Sequence, residues 1–190
     1  MSLAPAFELG LWNAWVLILP LISISLFGSR ILNKRGSAEV SALNKKMKTT
    51  SYLYSAITFL LYAYSVFLPL RISTIWLIVG LLIYLPFVFF PIIGLLNFAS
   101  TSAGEPVTKG IYSISRNPMY VGDIFVNIAI GIACLSWVFL AVAIANFLFY
   151  RYYIVAVEEP FLEQTFGETY RKYKNRTSRW IGIPQSEKRD

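Results

Sequence analysis

The residues best suited to chemistry fall in two short segments of an otherwise apolar chain. The first runs from Arg116 to Tyr120, and the second is the adjacent pair Glu158-Glu159. Neighbouring carboxylates raise each other's proton affinity unless a cation lies near them. A sulfonium or ammonium group is such a cation, and aromatic faces such as Tyr112, Tyr120 or Tyr153 would help to hold it. These residue types indicate a site for a positively charged organic ligand.

Each segment also has an ordinary structural explanation. Asn117 and Pro118 are favoured at the first positions of a helix, so together they would start one. Glu158 and Glu159 would be solvated residues at a membrane interface, paired with Arg151. Helix capping does not explain why Arg116 and Tyr120 flank the Asn-Pro pair. A helix N-terminus with free N–H groups is also a natural dock for a carboxylate.

The composition limits the chemistry further. The chain has no histidine, so it has no imidazole base and no histidine-based metal site. Its single cysteine, Cys134, excludes an internal disulfide and a cysteine metal cluster. We therefore expect no metal, and any reaction must use Asp, Glu, Tyr, Lys, Arg or backbone groups.

The elements that must position these residues are predicted to be membrane helices. Of the 190 residues, 56% are hydrophobic and 14% are charged, against about 25% charged in soluble domains. A bilayer crossing needs about 20 apolar residues. Four stretches qualify, and the last is long enough for two helices joined by a turn at residues 134–137. The stretches are Leu11 to Phe27, Tyr52 to Leu68, Thr74 to Phe98 and Tyr120 to Val157.

The predicted fold is thus an all-α integral membrane protein with about five transmembrane helices, the last two forming a hairpin. Pro86 and Pro91 predict a kink or break in the third span. We divide the chain into three N-terminal spans, residues 1–98, and a cofactor-binding core with a cytoplasmic tail, residues 99–190. No secretory signal is expected, because the first ten residues lack a basic flank.

The positions of the basic residues predict the orientation. They alternate between the two sides of the membrane, which places the N-terminus outside and the C-terminus in the cytoplasm. On the predicted outer side, only Arg71 lies in a loop. The net charge of +7 is explained by contact with lipid headgroups, so no nucleic-acid partner is expected. The inner-side residues between spans are Arg30, Lys34, Arg35, Lys45, Lys46, Lys48, Lys109 and Arg116.

The tail after the last span predicts one more helix. Its apolar residues recur at spacings of three and four among charged residues, as in an amphipathic helix lying on the inner membrane face. Pro160 fits its first turn, and Gly167 interrupts it. The apolar positions are Leu162, Phe166, Tyr170 and Tyr173.

Four segments in order resemble the membrane methyltransferase family that includes isoprenylcysteine carboxyl methyltransferases and phospholipid N-methyltransferases. They are Val107-Thr-Lys-Gly110-Ile-Tyr112, Arg116-Asn-Pro-Met-Tyr120-Val-Gly122, Glu158-Glu159-Pro-Phe-Leu162 and Phe166-Gly167-Glu-Thr-Tyr170-Arg-Lys-Tyr173. The resemblance covers about Pro106 to Trp180. It implies an S-adenosylmethionine-dependent methyltransferase that takes a lipophilic substrate from the bilayer.

The resemblance also implies roles for individual residues. The Val107 backbone and the Tyr112 side chain would hold the nucleoside, and Glu158 the amino-acid end of the cofactor. Glu159 would act as base or stabilise a developing cation, with Arg116 as the second catalytic candidate. The remaining cofactor-binding candidates are Gly110, Asn117, Pro118, Met119 and Tyr120.

Two departures bear on the substrate. Isoprenylcysteine members have His where Asn117 stands, whereas phospholipid-type members commonly have Asn. Prenylcysteine methylators also carry a substrate-binding arginine one turn before the glutamates, where this chain has Ile154. A phospholipid amine or another lipid headgroup is therefore favoured over a prenylcysteine carboxylate.

Two other functions fit parts of the same pattern. A membrane reductase of the sterol-reductase type has a similar basic, aromatic tail, but it would need a basic pocket for the phosphates of NADPH. A small transporter or assembly protein would place charges along a path inside the spans, and only Asp123 lies clearly within one.

Overall fold

A computed structural model of the chain describes residues 8–35, 45–102 and 104–183. These residues form six α-helices, and their only β-type pairing is an isolated bridge between Asn13 and Pro69. The described part of the chain is therefore all-α, as predicted. The helices are α1 Trp15–Arg35, α2 Lys45–Ser65, α3 Ile75–Ser100, α4 Pro118–Ala133, α5 Trp137–Tyr153 and α6 Glu159–Arg176.

Within the described residues, two helices are long and apolar enough to cross a membrane. They are α3 and the continuous helix Trp137–Arg176, which joins α5 to α6; Trp15–Ile31 and Pro118–Ala133 are shorter apolar helices. On α3, an outward stripe of Leu82, Phe89 and Leu96 is 54–68% exposed. Such a stripe is costly in water and natural against lipid.

The number of crossings and the orientation stay predictions. The orientation depends partly on Lys34, Arg35, Lys45, Lys46 and Lys48, whose side chains lie outside the described residues.

Helices α3 and α4 pack closely because glycines lie at their contact. A Cβ atom on Gly80 would lie 2.7 Å from the Ala129 carbonyl oxygen, and one on Gly122 would lie 2.9 Å from the Phe87 carbonyl oxygen. Helix α3 is continuous through Pro86 and Pro91, so the break that these prolines predict is absent. In an apolar environment, a broken helix would leave backbone groups without water to pair them.

The predicted hairpin between α4 and α5 is confirmed. Leu135 adopts a left-handed conformation with φ 52°, and the Ser136 side chain caps α5 by accepting a hydrogen bond from the Phe139 N–H at 3.2 Å. A π-helical segment, Ile154–Glu158, then connects α5 to α6. The division of the chain at residue 98 stays a prediction.

Helix α6 differs from the predicted surface helix in what covers its apolar side. Gly167 bends it, with φ 55° and ψ −132°. Tyr170 and Tyr173 are buried against Tyr112, and the Tyr173 hydroxyl donates a hydrogen bond to the Tyr112 carbonyl at 2.8 Å. These two tyrosines therefore face protein rather than lipid, because the bend turns the second half of the helix back onto the 3-10 turn Gly110–Ser113.

The packing of α3 on α4 predicts a difference between two Gly→Ala variants. Gly80→Ala forces overlap with backbone and should lower stability by about 1–3 kcal/mol. Gly28→Ala is its matched control, because that Cβ would meet only Leu95 Cδ1 at an ordinary 3.6 Å, and Ala is the better helix former. Thermal unfolding in detergent measures both; an equal melting temperature for Gly80→Ala and the native chain would contradict this packing.

Candidate active site

The helices enclose a cavity of about 700 Å³ that is mainly apolar. Two of its lining residues, Leu26 of α1 and Phe59 of α2, are 63% and 70% exposed, so the cavity reaches the outer apolar surface. Its polar lining is confined to tyrosines, two carboxylates and a few hydroxyls, and it includes no described basic residue. The tyrosines and carboxylates are Tyr54, Tyr62, Tyr120, Asp123, Tyr150 and Glu158.

Glu158 reaches this cavity from the π-helical segment. Such segments widen a helix by one residue and are frequent at functional sites. The Tyr120 hydroxyl, from the first turn of α4, donates a hydrogen bond to Glu158 Oε2 at 3.0 Å. The ring of Tyr150 lies 4.3 Å from that of Tyr120, measured between centroids. The first and second chemical segments therefore meet, as the sequence predicts.

The neighbouring Glu159 makes a different set of contacts. It is 3% exposed, and its oxygens accept two hydrogen bonds from Arg179, at 2.9 and 3.0 Å. Arg116 Nη2 lies 3.0 Å from Glu159 Oε1, and Lys174 Nζ lies 3.5 Å from Oε2. We call Glu159, Arg116, Arg179 and Lys174 the ion-pair cluster.

The cations of this cluster keep Glu159 ionised. Glu159 is the first residue of the polar helix that follows the apolar span. Burial alone would raise the pKa of Glu159, but the hydrogen bond from Arg179 and the charges of Arg116, Arg179 and Lys174 hold that pKa below its ordinary value. The same hydrogen bond raises the pKa of Arg179.

Backbone contacts tie the Arg-Asn-Pro segment to residues 177–182. The Arg116 N–H donates to the Ser178 carbonyl at 2.9 Å, and the Gly182 N–H donates to the Ile114 carbonyl at 3.0 Å. Asn117 occupies the cap position of α4 but makes no capping bond. Its side-chain amide donates to the Arg179 carbonyl at 3.1 Å instead. Pro118 does occupy the first helical turn.

The loop residues Val107, Gly110 and Tyr112 form a separate group. Val107 packs with the Tyr112, Tyr170 and Tyr173 cluster. Gly110 begins the 3-10 turn with φ 64°, and Asn97 holds this turn because its Oδ1 accepts a hydrogen bond from the Ile111 N–H at 2.9 Å.

The structure therefore divides the predicted site residues among three places. Met119, Tyr120 and Glu158 line the cavity. Arg116 and Glu159 form the ion-pair cluster beside Asn117. Val107, Gly110 and Tyr112 lie in the loop group, and Pro118 is buried at the start of α4. The roles assigned to these residues stay predictions.

Sequence reasoning missed the contribution of α2 to the cavity. The Tyr54 and Tyr62 hydroxyls donate to the two oxygens of Asp123, at 2.9 and 3.3 Å, and Thr58 between them accepts from Asn146. Tyrosines in apolar helices are commonly interface residues, so residue type alone predicts no site here. The spacing of four from Tyr54 to Thr58 to Tyr62 puts three hydroxyls on one face of an apolar helix, and this was the available signal.

The ion-pair cluster predicts that Glu159→Gln is costly. Breaking a buried ion pair costs about 3–5 kcal/mol, whereas Glu168→Gln removes an exposed pair with Arg171 and should cost at most about 1 kcal/mol.

Because the folded pKa of Glu159 is lowered, its stabilisation is complete above the unfolded pKa of about 4.3 and is lost as the pH falls towards the folded value. The free energy of unfolding, measured across this acid range, should fall with pH in the native chain because Glu159 becomes protonated. Glu159→Gln should lack that part of the pH dependence. Equal stability of the two glutamine variants would contradict the assigned cluster.

A comparison with protein-family models matches residues 70–169 to the phospholipid methyltransferase family. The match begins before α3 and extends into α6, so it includes the Arg-Asn-Pro segment and both glutamates. No curated protein matches the chain. Family membership and the two candidate spans support a location in a membrane. Since the matched region is more than half of the chain, the protein belongs to the phospholipid methyltransferase family.

Proposed function

We propose that the protein transfers a methyl group from S-adenosylmethionine to a lipophilic acceptor that enters from the membrane, with a phospholipid amine as the favoured class. Membership of the family implies methyltransferase activity on a membrane lipid. The finer proposal depends on one observation: Glu158 and four tyrosines line a cavity that also reaches the apolar surface.

The lining fits a cationic cofactor. Glu158 and the faces of Tyr120 and Tyr150 offer negative charge and π-electron density to a sulfonium or ammonium group. A carboxylate in a largely apolar cavity is poorly solvated, so a cationic partner is favoured there. A cofactor that carries two or more phosphates would instead need basic residues, and the described lining has none.

S-adenosylmethionine supplies an activated methyl group, so the protein has mainly to align the reactants and exclude water. Glu158 would hold the amino-acid end of the cofactor, and its bond from Tyr120 fixes the carboxylate. Met119, beside them, lines the same wall. The apolar walls keep water from the reacting groups.

The contacts of Glu159 change the role that we propose for it. Both of its oxygens are engaged by cations, so it is a poor proton acceptor. We assign Glu159 and Arg116 to positioning: they fix the start of α4 relative to the start of α6, and hence Tyr120 relative to Glu158.

The charges also bear on the acceptor. A carboxylate acceptor would meet Asp123 and Glu158 with no described counter-ion in the lining. Ile154 is buried, and Arg151 is exposed rather than in the lining. A headgroup with an amine avoids this repulsion.

Cofactor preference is a direct test. Calorimetry on the purified protein in detergent should show binding of S-adenosylhomocysteine and none of NADPH, because the lining has no phosphate-binding cations. Binding of NADPH in preference to S-adenosylhomocysteine would contradict the proposed cofactor and favour the reductase.

The role of Glu158 is tested by Glu158→Gln, which keeps the shape of the side chain and removes its charge. Losing a charged hydrogen bond should weaken binding of S-adenosylhomocysteine on the order of 10- to 100-fold. Glu168→Gln, the same change at an exposed position, should leave the affinity unchanged. Unchanged affinity in Glu158→Gln would remove Glu158 from the cofactor site, whereas no binding of S-adenosylhomocysteine by the native chain would favour a non-enzymatic membrane protein.

A further inference from the structure

Asp123 is a second carboxylate in the cavity, and the proposed cofactor contacts do not use it. It lies three residues after Tyr120 on α4, so the two side chains share a helix face. Both line the same cavity. The Tyr54 hydroxyl donates to Asp123 Oδ2 at 2.9 Å and the Tyr62 hydroxyl to Oδ1 at 3.3 Å.

The surroundings of Asp123 offer no counter-ion to its ionised form. Among the described residues, no basic side chain forms an ion pair with it. Ionisable residues within membrane helices are costly and face a cavity or a partner. Two neutral hydroxyls orient the carboxylate and do not neutralise it.

A purely structural role does not require the charge. Asp123 joins α4 to α2, and α2 is also held by the hydrogen bond from Asn146 of α5 to Thr58 at 3.2 Å. An asparagine at position 123 would accept the same bond from Tyr54 without the cost of a buried charge. The carboxylate is therefore best explained by a positively charged ligand that enters the cavity.

We propose that Asp123 recognises the acceptor: it binds the ammonium or amine group of a lipid whose hydrocarbon chains lie along α1 and α2. This inference rests on the proposed methyl transfer and names the part of the site that selects the acceptor. Tyr54 and Tyr62 are positioning residues that hold the carboxylate. The apolar lining beside them, which includes Leu26 and Phe59, would contact the chains.

Glu158 and Asp123 are assigned to different ligands, so their roles can be tested separately. Glu158, bonded to Tyr120, belongs to the cofactor. Asp123, bonded to α2, belongs to the acceptor. Asp123→Asn should therefore affect one ligand and spare the other, whereas a general loss of folding would affect both.

The experiment measures binding of two probes of equal chain length, dodecylamine and dodecanol, by calorimetry in a neutral detergent. The native chain should prefer the amine by about tenfold or more, the value expected for a charged hydrogen bond. Asp123→Asn should lose that preference and keep its affinity for S-adenosylhomocysteine. Tyr62→Phe, which removes only the longer bond, should reduce the preference less, and Glu168→Gln should retain it.

The outcomes separate this inference from the proposed function. An undiminished amine preference in Asp123→Asn overturns the inference, as does a native chain with no preference, and in both cases cofactor binding still stands. Loss of S-adenosylhomocysteine binding in an Asp123→Asn variant that keeps the melting temperature of the native chain would place Asp123 in the cofactor site and also overturn the inference. Failure of the native chain to bind S-adenosylhomocysteine would count against methyl transfer itself.

Discussion

The buried carboxylate of Glu159 holds three parts of the chain together. Arg116 comes from the loop before α4, Lys174 from the end of α6 and Arg179 from the segment that follows it. A buried carboxylate is tolerated only when it is paired, so the buried position of Glu159 depends on these cations. With Glu159 held in this way, the adjacent Glu158 extends towards Tyr120 and the cavity. Two neighbouring residues of the same type thus have opposite environments, one saturated with cations and one facing a tyrosine and an apolar space.

The cavity joins the region matched to the family with helices that lie before it. Tyr120, Asp123, Tyr150 and Glu158 come from within residues 70–169, whereas Leu26, Tyr54 and Phe59 come from α1 and α2. Under the proposed function, the matched region holds the cofactor and the N-terminal helices form much of the wall against the acceptor. The hydrocarbon chains of the acceptor would then contact helices outside the matched region, whereas its headgroup would meet Asp123 within that region.

The elements themselves were largely predictable, because each depends on local pattern. The apolar spacing of α3, the turn at residues 134–137 and the position of Pro118 all follow from residue type. Contacts between distant residues were harder to predict. The resemblance predicted that Tyr120 and Glu158 lie at one site. The Glu159 partners Lys174 and Arg179 were not predicted, because they come from a tail whose positive charges could equally contact lipid headgroups. The bonds from Tyr54 and Tyr62 to Asp123 depend on how α2 is rotated against α4, which an apolar helix with tyrosines on several faces does not specify.

The bend at Gly167 determines how the end of the chain meets its surroundings. Gly167 has a positive φ, which glycine adopts far more readily than other residues. A side chain at this position would meet open space, so position 167 favours glycine because of its backbone conformation and not because of crowding. In a straight helix, Tyr170 and Tyr173 would be free to contact lipid headgroups, as the apolar residues of a peripheral membrane anchor do. In the bent helix, both rings instead pack against Tyr112 of the 3-10 turn. The second half of α6 therefore packs on the protein itself, and its position should depend little on which lipids surround it.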